Sequence, residues 1–350
     1  MSAFDFTEIE FHKIITHHIG NKLRDEGYLL SSDISAIDGA TTEILLKYFI
    51  LPLKQEELFT FTHPVNIEMN EIYALASDLF ARHELAFIET SQSIAKLLYE
   101  NSQHPKIKEG EFNVVYFRNV CYNGTYTDAI GLFKSETSVP FLKMNGKDNH
   151  YFINHDYGFD VKGIDKGCLI LNANQDNGYI VLILDNANKF GETRYWKDAF
   201  LNVKPLSDDY FQTNEFLTIT KQFVSKELLK DEYNIDKADQ IDLLNRSVDY
   251  FKSHDTFDRL DFENTIFQND EVIESFRRFD DVYRENKQIE LNNQFDISAK
   301  AVKKQARAFK SVLKLDKNFH IYIHGDRNMI EQGIDNDGRK FYKIYYQEEN

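Results

Sequence analysis

The chain has 350 residues, of which 41 are lysine or arginine and 57 are aspartate or glutamate, so its formal net charge is −16. Hydrophobic residues make up 42% of the chain, which is enough for a packed core and excludes disorder along its whole length. Two cysteines, Cys121 and Cys168, exclude a disulfide-dense secreted scaffold and a four-cysteine zinc site, and we expect both to be buried small residues.

The N-terminal residues lack the cationic start and the apolar block of a signal peptide. No apolar run approaches the ~18 residues that a membrane-spanning helix needs. We therefore expect a soluble cytoplasmic protein of the α+β class.

Residues 1–205 are predicted to form an α+β domain with an antiparallel sheet meander. Alternating residues from Phe11 to Ile19 predict a strand, and helical spacing follows around 38–50, 69–82 and 86–100. Asn123-Gly124 separates two apolar runs, which is the strongest short hairpin pattern because both turn residues need a positive φ. Asp176-Asn177-Gly178 predicts a second turn between strands, and SVPFLKM at 138–144 predicts one more strand.

Residues 206–350 are predicted to form a mainly helical domain. Helical spacing links Ile241 to Phe251 and Val272 to Tyr283, and Asp270 is the predicted N-cap of the second helix. A last helix is expected at 298–314, followed by a terminal hairpin at 318–346 whose strands are 318–324 and 339–346.

Charge is distributed unevenly in this second domain. Residues 299–350 hold eleven basic and seven acidic residues, a balance of +4, whereas 206–298 hold 11 basic and 22 acidic residues, a balance of −11. Charges are screened over ~8 Å at physiological salt, so a basic patch acts locally despite a distant acidic excess. The average charge therefore does not exclude contact with a polyanion.

The predicted last helix carries one sign of charge, because no acidic residue occurs from Ser298 to Leu315. On a helical wheel its cations fall within about 120° of arc, opposite an apolar side. Like charges at i,i+4 repel, and a phosphate backbone would stabilise such a stripe. The predicted DNA-binding residues are Lys300, Lys303, Lys304, Arg307, Lys310, Lys314 and Lys317.

Two other interpretations of this stripe stay open. The helix complements the acidic 206–298 segment of the same chain, or its lysines form a solvated face with no partner. Its apolar face is small, which disfavours adsorption to a membrane. We also consider that the acidic segment folds over the basic helix and masks it.

The predicted terminal hairpin interleaves aromatic and basic side chains, a pattern that suits stacking on bases and contact with phosphates. The candidate accessory residues are His320, Tyr322, His324, Arg339 and Lys343. A purely structural aromatic ribbon is the alternative interpretation.

The histidines form no complete metal-binding pattern. His83-Glu84 begins like a zinc-protease helix, but Phe87 stands where the second histidine is needed. The cluster at positions 12, 17 and 18 alternates between two faces of a strand without further ligands nearby. We expect surface histidines, no metal and no cofactor.

Two acidic patterns resemble known sites only in part. Asp335-Asn336-Asp337-Gly338 resembles the start of a calcium loop, but Tyr346 stands where the loop needs Glu, so we predict a hairpin turn. Asp128 and Glu136, near Lys134 and Lys143, resemble weakly the acidic pair and lysine of metal-dependent nucleases. The order of Lys134 and Glu136 is wrong for such a site, so an enzyme is not expected.

Longer motifs resemble the family of bacterial nucleoid-associated proteins of the NdpA type. The resemblance is carried most strongly by AVKKQARAFKSVLKLDKNFHIYIHGDRNMIEQG at 301–333 and covers nearly the whole chain. Further matching motifs are HHIGNKLRDEG, HPKIKEGEF, DAIGLFKSE, DKGCLI, NKFGETRYWKDAFL and KADQIDLLNRSVDYF. The resemblance implies association with the bacterial chromosome, residence in the cytoplasm and no established catalytic activity.

The sequence thus predicts a non-enzymatic nucleoid-associated protein that binds DNA with low sequence specificity through its basic helix. The alternative is a protein-interaction module that uses the acidic 206–298 surface, including Asp280 and Asp281, to bind another chromosome-associated protein. DNA association would then be indirect. A metal-dependent nuclease is the weakest alternative, and the sequence leaves open whether the chain forms oligomers.

Overall fold

The structure is a computed structural model that describes residues 3–53, 57–147, 150–161, 163–186, 195–228, 235–307, 309, 312–315, 317, 319–322 and 329–348. The chain divides into two compact units, Met1–Leu206 and Ser207–Asn350. The predicted α+β class is confirmed. Within the described ranges, no helix combines the length and the hydropathy needed to cross a membrane.

The first unit is a large sheet with helices on both faces. Its strands are β1 Phe4–Asp5, β2 Glu10–Ile19, β3 Tyr28–Leu29, β4 Leu58–Phe61, β5 Gly110–Tyr122, β6 Thr125–Ser135, β7 Ser138–Lys147, β8 His150–Phe159, β9 Lys166–Leu171, β10 Ile180–Asp185 and β11 Val203–Pro205. Its helices are α1 Gly39–Ile50 and α2 Glu71–Asn101, with 3-10 turns at Lys22–Arg24, Ile67–Met69 and Gln175–Asn177 and a π-helical segment at Tyr195–Leu201.

Nine strands of the described chain form an antiparallel sheet in the order β11-β4-β10-β9-β6-β5-β2-β3, with β1 beside β5. Side chains alternate between the two faces, as the period of a strand requires. Val114 and Tyr116 of β5 pack in the core with α2, whereas Val115 and Phe117 pack in the opposite core with α1. Cys168 is fully buried in this sheet, as predicted, and burial raises the pKa of its thiol. Cys121 is only partly buried, so the prediction of burial is wrong for that residue.

Both predicted hairpin turns are confirmed. Asn123 and Gly124 have φ values of 49° and 79° and connect β5 to β6. Gly178 has a φ of 97° beside the turn between β9 and β10, and a Cβ there would lie 2.6 Å from the carbonyl oxygen of Phe61. The helices predicted at 69–82 and 86–100 are one helix, α2, with a non-helical residue at Arg82 (φ −134°, ψ 24°).

The second unit packs helices around a phenylalanine-rich core. Its helices are α3 Asp209–Gln222, α4 Lys237–Ser253, α5 Arg259–Ile266, α6 Asp270–Lys287 and α7 Ala299–Ala306, with a π-helical turn at Phe223–Glu227. Its strands are β12 Thr256–Asp258, β13 Gln294–Asp296, β14 Val312–Leu315, β15 Phe319–Tyr322, β16 Ile330–Ile334 and β17 Lys340–Ile344.

Phe216 lies at the centre of this core, with four phenylalanine rings within 6.1 Å of its own ring centroid. A smaller cluster joins Ala238 and Ile241 of α4 to Leu313 of β14. Helix α4 thus supports both the phenylalanine core and the C-terminal strands. The predicted N-cap of α6 is wrong by one residue, because the side chain of Asn269, not Asp270, accepts from the first free backbone N–H groups.

Candidate nucleic-acid interface

Helix α7 is held by its inner face against α3. Ser298 caps its first turn, and the Ser298 backbone N–H donates to Thr213 Oγ1 over 3.0 Å. Gln305 Nε2 donates to Asn214 Oδ1 over 2.7 Å, and Val302 is buried in the phenylalanine core. These contacts fix the rotation of the helix about its axis. The opposite face is left to solvent.

The outward face of α7 carries cations only. Lys300, Lys303, Lys304 and Arg307 are exposed, and Lys304 Nζ lies 5.6 Å from the ring centroid of Tyr210. Within the described ranges, no carboxylate oxygen lies within 4.0 Å of Lys300, Lys303 or Arg307. The described part of the acidic segment, 206–228 and 235–298, therefore forms no ion pairs with these three cations, which argues against the masking hypothesis. The helix dipole favours cations in the last turn, but it does not neutralise their charge.

The predicted helix at 298–314 is too long. Helix α7 ends at Ala306, and Val312–Leu315 forms strand β14, which pairs antiparallel with Phe319–Tyr322. The apolar residues of this segment fit the period of a helix as well as that of a strand. The segment forms a strand because Leu313 and Ile321 face each other and pack on α4. The wheel that placed Lys314 on the stripe is therefore wrong, and Lys310 lies outside the described residues.

The β14–β15 ribbon nevertheless presents a cation beside aromatic rings. Lys314 lies directly opposite His320. Tyr322 pairs with position 312, two residues before Lys314, so its side chain lies on the same face of the ribbon. Both Lys314 and His320 are exposed, and Tyr322 is 66% exposed. Lys317, between the two strands, is also exposed. His324 lies outside the described residues.

The terminal hairpin is also paired differently from the prediction. Strand β17 pairs with β16 across the tight turn at Asp335–Gly338, whereas the described residues 319–322 pair with β14. That turn is the predicted one. The two accessory cations of this hairpin lie near carboxylates. Arg339 Nη2 lies 3.6 Å from Asp337 Oδ2, and Lys343 Nζ lies 3.6 Å from Glu331 Oε2. A hydrogen bond to Tyr345, followed by the Glu331 charge, raises the pKa of Lys343.

Part of the acidic excess of the second unit lies inside the molecule. Asp280 is fully buried, with Arg284 Nε 2.7 Å and Arg259 Nη2 2.9 Å from its two carboxylate oxygens. Glu263 is also fully buried and accepts from Arg259 and Arg277. Asp280 therefore cannot belong to an acidic docking surface, and that part of the alternative prediction is wrong. Asp281 is exposed.

The first unit assembles three candidate metal ligands that the sequence did not connect. His12, His83 and Glu84 place their ligand atoms within 4.8 Å of one another, because the interruption of α2 at Arg82 turns the next residues onto strand β2. His12 Nε2 lies 3.0 Å and His83 Nε2 lies 3.2 Å from Glu84 Oε1.

Two cations already bind the carboxylate of this cluster. Lys13 Nζ lies 2.6 Å from Glu84 Oε2, and Arg118 Nη2 lies 3.2 Å from Glu84 Oε1. The Lys13 hydrogen bond, with that of His12, lowers the pKa of Glu84 to about 2. A metal ion would have to displace both cations, so the arrangement fits an ion-pair network that ties α2 to the sheet.

The remaining histidines and acids do not form a site. His17 is buried, which corrects the prediction of a surface residue, and it contacts Ser91 rather than His12. Asp128 accepts from Tyr116 near the start of β6, whereas Glu136 pairs with Lys134 at the strand's end. Eight residues of extended chain separate the two acids by about 26 Å, so the suggested nuclease pair does not assemble.

Comparison with known families agrees with the predicted resemblance. A family model described as "Nucleoid-associated protein YejK" matches residues 15–341, which is nearly the whole chain and includes both units. No curated protein sequence matches the chain.

Proposed function

The chain belongs to the YejK family of nucleoid-associated proteins, and from this membership we propose that it binds DNA directly through helix α7. The observation that carries the proposal is the outward face of α7, where four exposed cations lie side by side. Three of them, Lys300, Lys303 and Arg307, have no carboxylate within ion-pair distance in the described chain. Phosphates would supply the missing counter-charge.

The expected contact is with the phosphate backbone rather than with base edges. An eight-residue helix is about 12 Å long, so α7 reaches only a few phosphates. Lys314 and Lys317 of the neighbouring ribbon extend the contact, and Tyr322 offers a ring for stacking. Lysine acts as a point charge on phosphate and carries little sequence information. We propose low sequence specificity, a location at the nucleoid in the cytoplasm, and no catalytic role.

The test is fluorescence anisotropy of a labelled DNA duplex titrated with the full chain across a salt series. If α7 and the β14–β15 ribbon contribute six phosphate contacts, log affinity should fall against log salt with a slope near −5, from ~0.9 per contact. The triple variant Lys303→Glu, Lys304→Glu, Arg307→Glu should reduce that slope by about 3 and abolish binding at physiological salt.

A matched control reverses three exposed cations elsewhere in the same unit, Lys252→Glu, Arg278→Glu and Lys287→Glu. It changes the net charge equally but leaves α7 intact, so its salt slope should stay near that of the unmodified chain. If both triple variants lose affinity equally, the effect is one of net charge and α7 is not the contact. If the unmodified chain does not bind at low salt, DNA association is indirect and the proposal fails.

A further inference from the structure

Strands β7 and β8 form a two-stranded sheet of their own, separate from the nine-stranded sheet. Each strand has ten residues, and the register runs from Ser138 opposite Phe159 to Lys147 opposite His150. We refer to residues 138–147 and 150–159 as the arm. The Asp165 carboxylate accepts from the backbone N–H of Glu136 and Thr137, over 2.6 and 3.1 Å, and so fixes the root of the arm.

One face of the arm carries mostly apolar side chains, and we call it the apolar face. Because side chains alternate along a strand and opposite residues share a face, the register assigns every residue to one of two faces. The apolar face consists of Ser138, Pro140, Leu142, Met144 and Gly146 from β7 and Tyr151, Ile153, His155, Tyr157 and Phe159 from β8. This face contains no lysine, arginine, aspartate or glutamate. The opposite face carries the ion pair of Lys143 with Asp156.

The apolar face is open to solvent. Leu142, Met144 and Ile153 are 65%, 62% and 65% exposed, and Tyr151 and Tyr157 are 80% and 63% exposed. At ~150–200 Å² for each side chain, the large apolar residues expose about 700 Å² together. This exceeds the 300–600 Å² of the largest patch on a typical monomer and approaches the ~800 Å² per partner of a standard interface.

We propose that the arm is a dimerisation element and that its apolar face packs on the same face of a second copy of this chain. A two-fold contact brings each residue near its own counterpart, so a face rich in charges would repel itself, whereas this face has no lysine, arginine or carboxylate. Two such ribbons stack as sheets about 10 Å apart and bury both apolar faces. The packing also stabilises the arm, since an isolated two-stranded hairpin is only marginally stable.

DNA is a weaker candidate for the same face. Contact with phosphates requires cations, and the apolar face has no lysine or arginine, while Lys143 on the other face is paired with Asp156. The proposal is independent of the DNA contact proposed for α7. If both hold, a dimer carries two α7 surfaces, and its affinity for one duplex exceeds that of a monomer through effective concentration.

Sedimentation velocity of the full chain tests the proposal. The chain should have twice its monomer mass at roughly 10 μM, within the range of ordinary dimers of this interface size. Leu142→Glu with Tyr151→Glu places buried charges at two separated points of the interface and should raise the dimer dissociation constant at least about 100-fold. Val139→Glu with Phe152→Glu makes the same chemical change on the opposite face and should leave the dimer within a few-fold of the original.

Two results overturn the proposal: a monomer of the unmodified chain at roughly 100 μM, or an apolar-face variant that stays dimeric. If that variant stays dimeric but loses DNA affinity, the arm is a DNA contact instead. Circular dichroism checks that each variant is folded. If the apolar-face variant does not fold, hydrogen exchange of the unmodified chain tests the dimer instead. Dilution dissociates a dimer, so the backbone amides of the arm should then exchange faster. Arm amides that exchange equally fast at every concentration would also reject the dimer.

Discussion

The protonation of His17 should control the stability of the first unit in mild acid. His17 is 1% exposed, and its Nδ1 accepts from the backbone N–H of Ser31 over 3.1 Å. Its Nε2 lies 3.1 Å from Ser91 Oγ, whose own proton is donated to the carbonyl of Ile88. Both contacts require a neutral imidazole with its proton on Nε2. Protonation of Nδ1 would point a second donor at the Ser31 N–H.

Burial lowers the pKa of His17 to about 4, from an ordinary value near 6.5. Because the folded chain takes up this proton less readily than the unfolded chain, its stability is fully present above pH 6.5 and is lost as the pH falls towards 4. With these two values, the His17 contribution to the free energy of unfolding falls by about 2 kcal/mol between pH 7 and pH 5, and by about 3 kcal/mol at pH 4.

Urea unfolding followed by Trp196 fluorescence isolates this effect. Trp196 is the chain's single tryptophan and is fully buried in the first unit. His17→Gln keeps an amide donor and acceptor but cannot gain a proton, so its loss of stability from pH 7 to pH 5 should be about 2 kcal/mol smaller than that of the unmodified chain. His18→Gln removes a half-exposed histidine from the same strand and should not reproduce this change. Parallel pH curves for the unmodified chain and His17→Gln would refute the reasoning.

Two further predictions concern stability. Glu263→Gln removes a fully buried carboxylate that pairs with Arg259 and with the half-exposed Arg277. Because Arg259 keeps Asp280 as a partner, the second unit should be destabilised by about 3 kcal/mol, measured by far-UV circular dichroism in urea. Glu274→Gln, on the exposed side of α6, is the control and should cost less than about 0.5 kcal/mol. Gly178→Ala forces a side chain against a backbone carbonyl at positive φ and should cost about 2–4 kcal/mol, measured by Trp196 fluorescence. Gly124→Ala meets open space at a similar φ, so it should cost only about 1–2 kcal/mol, and equal losses at both glycines would contradict the steric argument.

The chain's family and much of its local structure follow from the sequence. Asn123-Gly124 forms its turn because the conformation depends on those residues alone, and the strand at 10–19 and the helix at 237–253 repeat their apolar residues with one clear period. The long motifs carried the family resemblance, which the family model over residues 15–341 confirms. These features depend on neighbouring residues in the chain, so no knowledge of distant contacts is needed.

The candidate DNA contact was only partly readable from the sequence. The cations from Lys300 to Arg307 share the exposed side of a helix, as predicted, because Val302 anchors the other side in the core. The apolar residues beyond this helix match a helical period as well as a strand period. Leu313 becomes part of a strand through its packing on α4, about 70 residues earlier in the chain.

Tertiary structure also decided which charges and apolar faces are available to partners. Asp280 and Asp281 are indistinguishable in a count of charges, yet only the first is buried between arginines from two helices. Glu84 meets His12 and Lys13 because α2 is interrupted at Arg82 and lies against β2. The arm at 138–159 has an apolar face only once the strand register is known. A sequence determines which residues are charged or apolar, but distant packing decides which of them water still reaches.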